Sequence, residues 1–421
     1  MTPLAPATLR SLLLDGGEIA LLDVREAGAF QAGHLLLSVN LPLAEVAARI
    51  GRLVPRRATR IVLVDEGAGL AEQAAESLRA RGYHDLACLA GGAPAWGAAG
   101  YELFPGTYTI NNVFALHVER TCGTPRIGAE DLAARQASGA PPLVLDSRPL
   151  QEYRDGTIPG AVEVPLAELI ERVPDLLGDP AREIVVTCGG RARAVLGAQS
   201  LINAGLENPV SALYYGTTGW DLAGYDLARG SSAVAAPPSP AAKAKAQAGA
   251  AEIAERFGVQ AIGLDGLDAW LAAREMRTLY LIDVRSAEEF HGGHLPESRW
   301  VPGGELVGLT EDHMATRGAR VCLLDDSGAR ASLTASWLIQ MGWPEVAVLT
   351  GGVSAWQDAG RPLATSAPPA EPPWSPPAEG DRAQRHAAAR QTMEQREAML
   401  AQLARDGTLG FPSSATDESS R

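Results

Sequence analysis

Three segments of the chain repeat one order of apolar and polar positions. In each segment, a short run of β-branched residues and leucines ends in Asp-x-Arg, and the aspartates are Asp23, Asp146 and Asp283. A second run of this kind ends 42 residues later, and the residues at its end are Asp65, Cys188 and Asp325. Such runs predict strands, and the amphipathic Ala- and Leu-rich stretches after them predict helices. The expected fold class is α/β, with a mostly parallel sheet flanked by helices in each segment.

Two further landmarks keep the same register. A glycine follows each of the first aspartates after ten residues, at Gly33, Gly156 and Gly293. A Gly-rich turn and a tryptophan close each segment 31 or 32 residues after the second run, at Trp96, Trp220 and Trp356. Agreement across three separations indicates tandem duplication, and it predicts three domains at residues 1–104, 124–229 and 259–365.

The segments that join the domains differ in composition. Residues 105–123 form a connector whose large apolar side chains, from Tyr108 to Phe114, favour docking of the first two domains on each other. Residues 230–258 are rich in Ala, Pro, Ser and Lys, which predicts a semi-rigid linker that lets the third domain swing. The tail, 366–421, contains a Pro-rich stretch, a polar helical segment at 382–405 and a Ser-rich end. This tail fits either an interaction helix or disorder.

Composition excludes several classes of function. The 421 residues carry 36 basic and 50 acidic side chains, and the formal charge of −14 opposes binding to nucleic acid or to an anionic membrane surface. No apolar run reaches the roughly 18–20 residues that span a bilayer. The first ten residues lack the features of a signal peptide. A cytoplasmic protein with no nucleic-acid or membrane partner is expected.

The four cysteines form no CxxC pair, so neither a zinc site nor a dithiol motif nor a disulfide framework is predicted. Cys88 and Cys322 lie inside strand-like runs, as buried core cysteines do. Cys122 lies in the connector and is expected to be incidental. His291 and His294 have no third ligand nearby, so no metal is expected, and no cofactor is predicted.

Cys188 stands at a repeated position, where a predicted strand ends. The loop after it reads Gly189, Gly190, Arg191, Ala192 and Arg193, and a helix is expected to begin near Ala192. Backbone N–H groups and the positive end of such a helix point at the sulfur, and the two arginines add positive charge. A fall in pKa from about 8.5 to about 6.5 would raise the thiolate fraction at pH 7 from roughly 3% to roughly 75%. The loop is therefore predicted to hold a nucleophilic thiolate and to bind anions.

These motifs resemble the rhodanese (thiosulfate sulfurtransferase) superfamily. The shared features are D-x-R after the first core strand, G-[HT]-[IL]-P about a third of the way along the domain, a strand-end Cys loop, and G-G-x-x-x-W near the close. The middle domain resembles a multi-domain group whose loop reads C-x-G-R-x-R-x followed by G-A-Q-S-L-I-N-A-G, which here is 188–194 and 197–205. The resemblance implies three tandem rhodanese-like domains, with a persulfide formed on Cys188. In the families with phosphatase or arsenate reductase activity the arginine is one position later than Arg193, so sulfur chemistry is favoured over phosphate chemistry.

The first and third domains depart from this pattern. Asp65 and Asp325 stand at the cysteine position, where a carboxylate can accept the inward N–H groups but cannot carry sulfur. Both domains are therefore predicted to be inactive. Asp146 and Arg148 have counterparts in these two domains, so a structural ion pair close to the active loop is expected.

Two hypotheses of function follow. In the first, a sulfurtransferase takes sulfane sulfur from thiosulfate or a persulfide donor and passes it to cyanide, a thiol or a protein acceptor. Cys188 carries the sulfur, and Arg191 and Arg193 bind the small anionic donor. In the alternative, the chain is a non-catalytic scaffold or a redox-sensing interaction protein, since two of its three loops lack the cysteine.

Overall fold

The computed structural model describes residues 1–366 and 382–411, and this part of the chain forms three α/β units in tandem. In each unit, parallel strands alternate with helices that cover both faces of the sheet. The predicted α/β fold class is confirmed. The strands at the centre of each sheet are almost wholly buried, which explains why their sequences are continuous apolar runs rather than alternating ones.

The first unit has a parallel sheet of strand order β1-β5-β4-β2, and β3 also pairs with β2. A helix, α6, follows the unit and packs on the second unit. The elements are β1 (Thr2–Leu4), α1 (Pro6–Leu14), β2 (Ile19–Asp23), α2 (Ala27–Ala32), β3 (Val39–Asn40), α3 (Val46–Leu53), β4 (Ile61–Val64), α4 (Leu70–Arg79), β5 (Leu86–Leu89), α5 (Gly92–Ala98) and α6 (Thr109–Cys122).

The second unit has a parallel sheet of strand order β6-β10-β9-β7-β8, so the strand that leads to Cys188 lies at its centre. Its elements and the helix after it are β6 (Arg126–Ile127), α7 (Ala129–Gln136), β7 (Leu143–Asp146), α8 (Leu150–Asp155), β8 (Val162–Glu163), α9 (Leu169–Leu176), β9 (Ile184–Thr187), α10 (Ala192–Asn203), β10 (Val210–Leu213), α11 (Gly216–Leu222) and α12 (Pro240–Phe257).

The third unit repeats this order as β11-β16-β15-β12-β13, while its strand β14 pairs antiparallel with β2 and extends the sheet of the first unit. Its elements and the tail helix are β11 (Gln260–Ile262), α13 (Leu264–Ala272), β12 (Leu279–Asp283), α14 (Ala287–Gly292), β13 (Arg299–Trp300), α15 (Gly303–Gly308), α16 (Thr310–His313), β14 (Thr316–Arg317), β15 (Arg320–Leu324), α17 (Ala329–Gln340), β16 (Glu345–Leu349), α18 (Gly352–Asp358) and α19 (Arg382–Asp406).

The predicted linker at 230–258 is mostly the helix α12, which packs between α9 of the second unit and α17 of the third. The Ser239 side chain accepts a hydrogen bond from the Ala242 N–H and caps the first turn. The buried positions share one face of the helix; they are Ala242, Ala246, Gly249, Ala250 and Ile253. The prediction of a third unit that swings freely is wrong, because the alanines and the glycine on this face let α12 pack closely against α9 and α17.

One hydrophobic cluster joins all three units with the helices between them. Within it, the Phe114 ring on α6 meets the Trp337 ring on α17 edge to face, with centroids 5.9 Å apart. The Trp337 indole also donates to Ser200 Oγ on α10 (3.0 Å). The first and third units share the β2–β14 pair, and they pack further through α3 and α16.

The tail segment at 382–406 is the helix α19, which packs on α6 and buries Met399 and Leu403. The Pro-rich stretch and the Ser-rich end of the tail lie outside the described residues. Within the ranges that the structure describes, none of the helices combines the length and the apolar character needed to cross a bilayer.

Candidate active site

The Cys188 loop joins the central strand β9 to α10, which begins at Ala192 as predicted. Cys188 is only 2% exposed, and the backbone N–H groups of Gly190 and Ala194 favour its thiolate form, which lowers the pKa of the thiol. The Gly-rich turn supports the loop from behind, where the Thr217 N–H donates to the Cys188 carbonyl (2.8 Å). Gly216, at φ 53°, comes so near that an added Cβ would lie 2.0 Å from that carbonyl oxygen. The repeated glycine is therefore required for close approach.

Burial and charge act on the Cys188 thiol in opposite directions. Burial raises the pKa of the thiol because the thiolate would lose its solvation; Arg193, the two N–H groups and Arg148 lower it. Burial is the largest effect, so the pKa lies above the ordinary thiol value. The stabilising groups that the sequence predicts are present, but the expected net fall in pKa is not, since the loop motif does not reveal how deeply the sulfur is covered.

The sequence predicts that Arg191 and Arg193 face an anionic donor, whereas the structure pairs both guanidinium groups with carboxylates. Arg191 donates through Nε to Glu119 on α6 (2.6 Å) and through Nη1 to Glu397 on α19 (2.6 Å). Arg193 pairs through both terminal nitrogens with the two oxygens of Glu152 (2.8 and 2.7 Å). These pairings raise the pKa of both arginines. A permanently charged group that leaves water needs such a partner, which explains the difference.

The sequence repeat predicts the partner of Arg193 but not the partners of Arg191. Glu152 stands six residues after Asp146, and Glu289 stands six residues after Asp283 and pairs in the same way with Arg330, the counterpart of Arg193. The repeat therefore contains a signal for this pair. Glu119 and Glu397 come from segments outside the repeat, so no spacing in the chain connects them to the loop.

Asp146 and Arg148 form a buried ion pair beside the loop. Arg148 donates through Nε to Asp146 Oδ1 (2.9 Å) and through Nη2 to Asp146 Oδ2 (2.7 Å), and Nη2 also reaches the carbonyl of Gly156 (2.6 Å). Both outer units have the same arrangement. An added Cβ at Gly189 would lie 3.8 Å from Arg148 Cδ, so the arginine lines one side of the loop.

Carboxylates fill the corresponding loops of the outer units. Asp65 accepts hydrogen bonds from the N–H groups of Gly67 (2.7 Å) and Ala71 (3.2 Å). Asp325 accepts from the Arg330 N–H (2.9 Å), and its other oxygen accepts from the Arg330 side chain (3.0 and 2.8 Å). The acidic groups therefore take the N–H groups as predicted, and both loops are closed by an internal anion.

The tail helix α19 lies over the Cys188 loop, which sequence reasoning did not foresee. The Tyr215 hydroxyl donates to the Met393 carbonyl (3.3 Å), and Glu397 pairs with Arg191. Tyr215 adopts φ 56°, a conformation that glycine holds at the matching positions of the outer units. A tyrosine at this position bears some backbone strain; its ring contacts Arg191 and its hydroxyl group contacts the helix.

The remaining candidate residues have structural environments. Cys88 and Cys322 are buried in the core, as predicted, and burial raises the pKa of Cys322 to about 12. His294 contacts the Phe290 carbonyl through Nδ1 (3.0 Å) and the Ser366 hydroxyl through Nε2 (3.1 Å). Within residues 1–366 and 382–411, no three His, Cys, Asp or Glu side chains cluster as metal ligands would.

Comparison with known proteins identifies the class that this fold and this loop define. The model of the rhodanese-like domain matches residues 5–99, 128–223 and 265–359. The chain belongs to the rhodanese-like domain family. The predicted family and the three tandem domains of that fold are confirmed.

Two known proteins are similar to this chain over very different lengths. The crystal structure of a thiosulfate sulfurtransferase from Pseudomonas aeruginosa is 34% identical, has a TM-score of 0.88, and aligns over 98% of this chain and 99% of its own. An HTH-type transcriptional regulator of Mycobacterium tuberculosis is 39% identical over 113 residues, 26% of this chain and 47% of the regulator. The chain thus spans about half the length of that curated relative.

Proposed function

We propose that this protein is a sulfurtransferase that carries sulfane sulfur as a persulfide on Cys188. The Cys188 thiolate attacks the outer sulfur of thiosulfate, the sulfur–sulfur bond of the donor breaks, and its electron pair leaves with sulfite. Cyanide or a thiol then attacks the outer sulfur of the persulfide and regenerates the thiolate. No electrons are gained or lost in the sum, so no cofactor is required.

The loop residues have distinct roles in this proposal. The backbone N–H groups of the loop, from Gly190 to Ala194, stabilise the thiolate and then the anionic persulfide. Arg193 lowers the pKa of Cys188 from its position in the Glu152 pair. Arg191 fixes the start of α10 through its two carboxylate partners. Arg148, held by Asp146, borders the loop and also lowers the pKa of Cys188.

The observation that carries the proposal is the contrast among the three loops. Two of them enclose a carboxylate that already accepts their N–H groups, whereas in the middle loop a cysteine stands at that position and the N–H groups of Gly190 and Ala194 lower its pKa. The full-length similarity to a thiosulfate sulfurtransferase supports this reading. We propose that the outer units are inactive, and that the reaction takes place in the cytoplasm, where the four free cysteines would stay reduced.

The test is sulfite release from thiosulfate with cyanide as acceptor, in the wild type, Cys188→Ser and Cys122→Ser. Cys122 is exposed and free, so its variant controls for the loss of a thiol elsewhere. We expect background rates in Cys188→Ser alone, and a mass gain of one sulfur atom on Cys188 of the wild type. Equal background rates in all three proteins, repeated with glutathione persulfide as donor, would favour the scaffold alternative.

A further inference from the structure

The helix α19 approaches the Cys188 loop with a fourth arginine, in addition to Arg148, Arg191 and Arg193. Its backbone is tied to Tyr215 through the Met393 carbonyl, and its Glu397 is tied to Arg191. Arg396 lies between these two attachments. Its Nη1 atom would be 3.3 Å from a Cβ added at Gly190, so the guanidinium group sits directly against the loop.

The charges around the loop leave Arg396 in a special position. The three arginines that the second unit contributes are each neutralised by a carboxylate: Arg148 by Asp146, Arg191 by Glu119 and Glu397, and Arg193 by Glu152. Arg396 has no carboxylate within salt-bridge distance in residues 1–366 and 382–411. Its positive charge is thus available to an incoming anion.

The surroundings of the guanidinium group agree with this availability. Burial lowers the pKa of Arg396, and so does Arg191, while the negative forms of Tyr215 and Cys188 raise it. A partly buried cation without an internal counterion gains more from an arriving anion than an exposed or already paired one does. Because residue 190 is a glycine, the guanidinium group of Arg396 lies against the backbone of the loop rather than against a side chain.

We propose that Arg396 of the tail helix binds the anionic end of the sulfur donor at the Cys188 loop, an inference that rests on the proposed sulfurtransferase activity. The donor is a small sulfonate-type dianion such as thiosulfate. Its sulfonate lies against Arg396, and its outer sulfur meets Cys188. The active site is thereby completed by a segment that lies far outside the catalytic domain in sequence.

The experiment separates the two half-reactions in the full-length protein. Loading of Cys188 is followed at increasing thiosulfate concentration by the mass gain of one sulfur, and discharge of the preloaded protein is followed with cyanide. In Arg396→Gln, the thiosulfate concentration for half-maximal loading should rise roughly 10- to 100-fold, as expected for loss of a charged hydrogen-bonding group. Arg396→Lys should recover much of that loss because it keeps the charge.

The matched control is Arg390→Gln, which removes the same charge from an exposed position on the same helix. It should load as the wild type does. Unchanged loading in Arg396→Gln overturns the inference and leaves the proposed function intact. Equal losses in the Gln and Lys variants would assign the effect to packing of α19, which also overturns it. Absence of loading in the wild type would instead refute the proposed function.

Discussion

At the scale of single residues, the proposed sulfur transfer places two opposed requirements on Cys188. It must form a thiolate to attack a donor, and the loop offers Arg193, Arg148 and backbone N–H groups for this purpose. It must also keep water away from a persulfide, and the burial that achieves this raises the pKa of the thiol. In the free protein no donor is bound and the pKa of Cys188 is raised. Cys188 should therefore be mainly in the thiol form before the donor binds.

This balance predicts the pH dependence of alkylation at Cys188. Since the pKa is raised, the thiolate appears only as the pH rises past the ordinary thiol value, about 8.5. The rate of modification by iodoacetamide should therefore be low at pH 7 and still be increasing at pH 9. Mass spectrometry of peptides from the intact protein measures the rate, with the exposed Cys122 as an internal reference for reagent and access. A midpoint below pH 7 at Cys188 would contradict the burial argument.

Much of this site is predictable from the sequence, and the missing part has a physical reason. The strand end, the N–H loop, the helix start at Ala192 and the carboxylates of the outer loops follow from local spacing. The partners of Arg191 do not, because Glu119 and Glu397 reach the loop from helices outside the repeat. Local patterns report backbone geometry, whereas the burial and pairing of a charge depend on the packing of distant segments.

At the scale of secondary-structure elements, α12 illustrates how composition can mislead. Its Ala and Lys content and the Pro and Ser residues at its start are typical of linkers, and its only large apolar residues, Ile253 and Phe257, lie near its end. Yet Ser239 and Pro240 form a helix start, and Gly258 ends the helix in a left-handed conformation. Four of its five buried positions are alanine or glycine because α9 and α17 lie close on either side. Small residues at helical spacing are therefore the sequence pattern that indicates this kind of buried helix.

A pair of glycine substitutions tests this close packing. In α12, an added Cβ at Gly249 would lie 2.8 Å from the carbonyl oxygen of Ala204. Gly249→Ala should therefore lower the free energy of unfolding by about 1–2 kcal/mol, despite the better helix propensity of alanine. Gly51 in α3 has no atom within 4 Å of its added Cβ, so Gly51→Ala should raise the same quantity by about 0.5–1 kcal/mol. Urea denaturation measures both, and stabilisation by both substitutions would show that α12 is not tightly packed.

At the scale of the whole molecule, the three units are joined by a shared sheet and by packed helices as well as by the continuous chain. Strand β14 of the third unit belongs to the sheet of the first, and the Tyr280 hydroxyl donates to the Leu53 carbonyl (2.5 Å) while it accepts from the Thr316 N–H (3.0 Å). The second unit joins them through α6, α12 and α17. The first and third units therefore help to hold α6 and α19 in place over the Cys188 loop, through contacts such as Thr310 with Asn111 and Leu103 with Gln402.

Shared structure predicts that the units unfold together. Tyr280→Phe removes the hydroxyl that accepts from the Thr316 N–H, and it leaves the Leu53 carbonyl with the Ala315 N–H (3.1 Å) as its remaining donor. The loss should lower the free energy of unfolding by about 1–3 kcal/mol. Native-state hydrogen exchange should show the same decrease for the slowest amides of β9, in the second unit, as for those of β12, because these amides exchange through global unfolding.

Tyr153→Phe is the reciprocal control, since it removes a buried hydroxyl that donates within the second unit to the Ala161 carbonyl (2.8 Å). If Tyr280→Phe changed only β2 and β12, and Tyr153→Phe changed only β9, the units would be independent and the tail helix would have to hold its place over the loop without them.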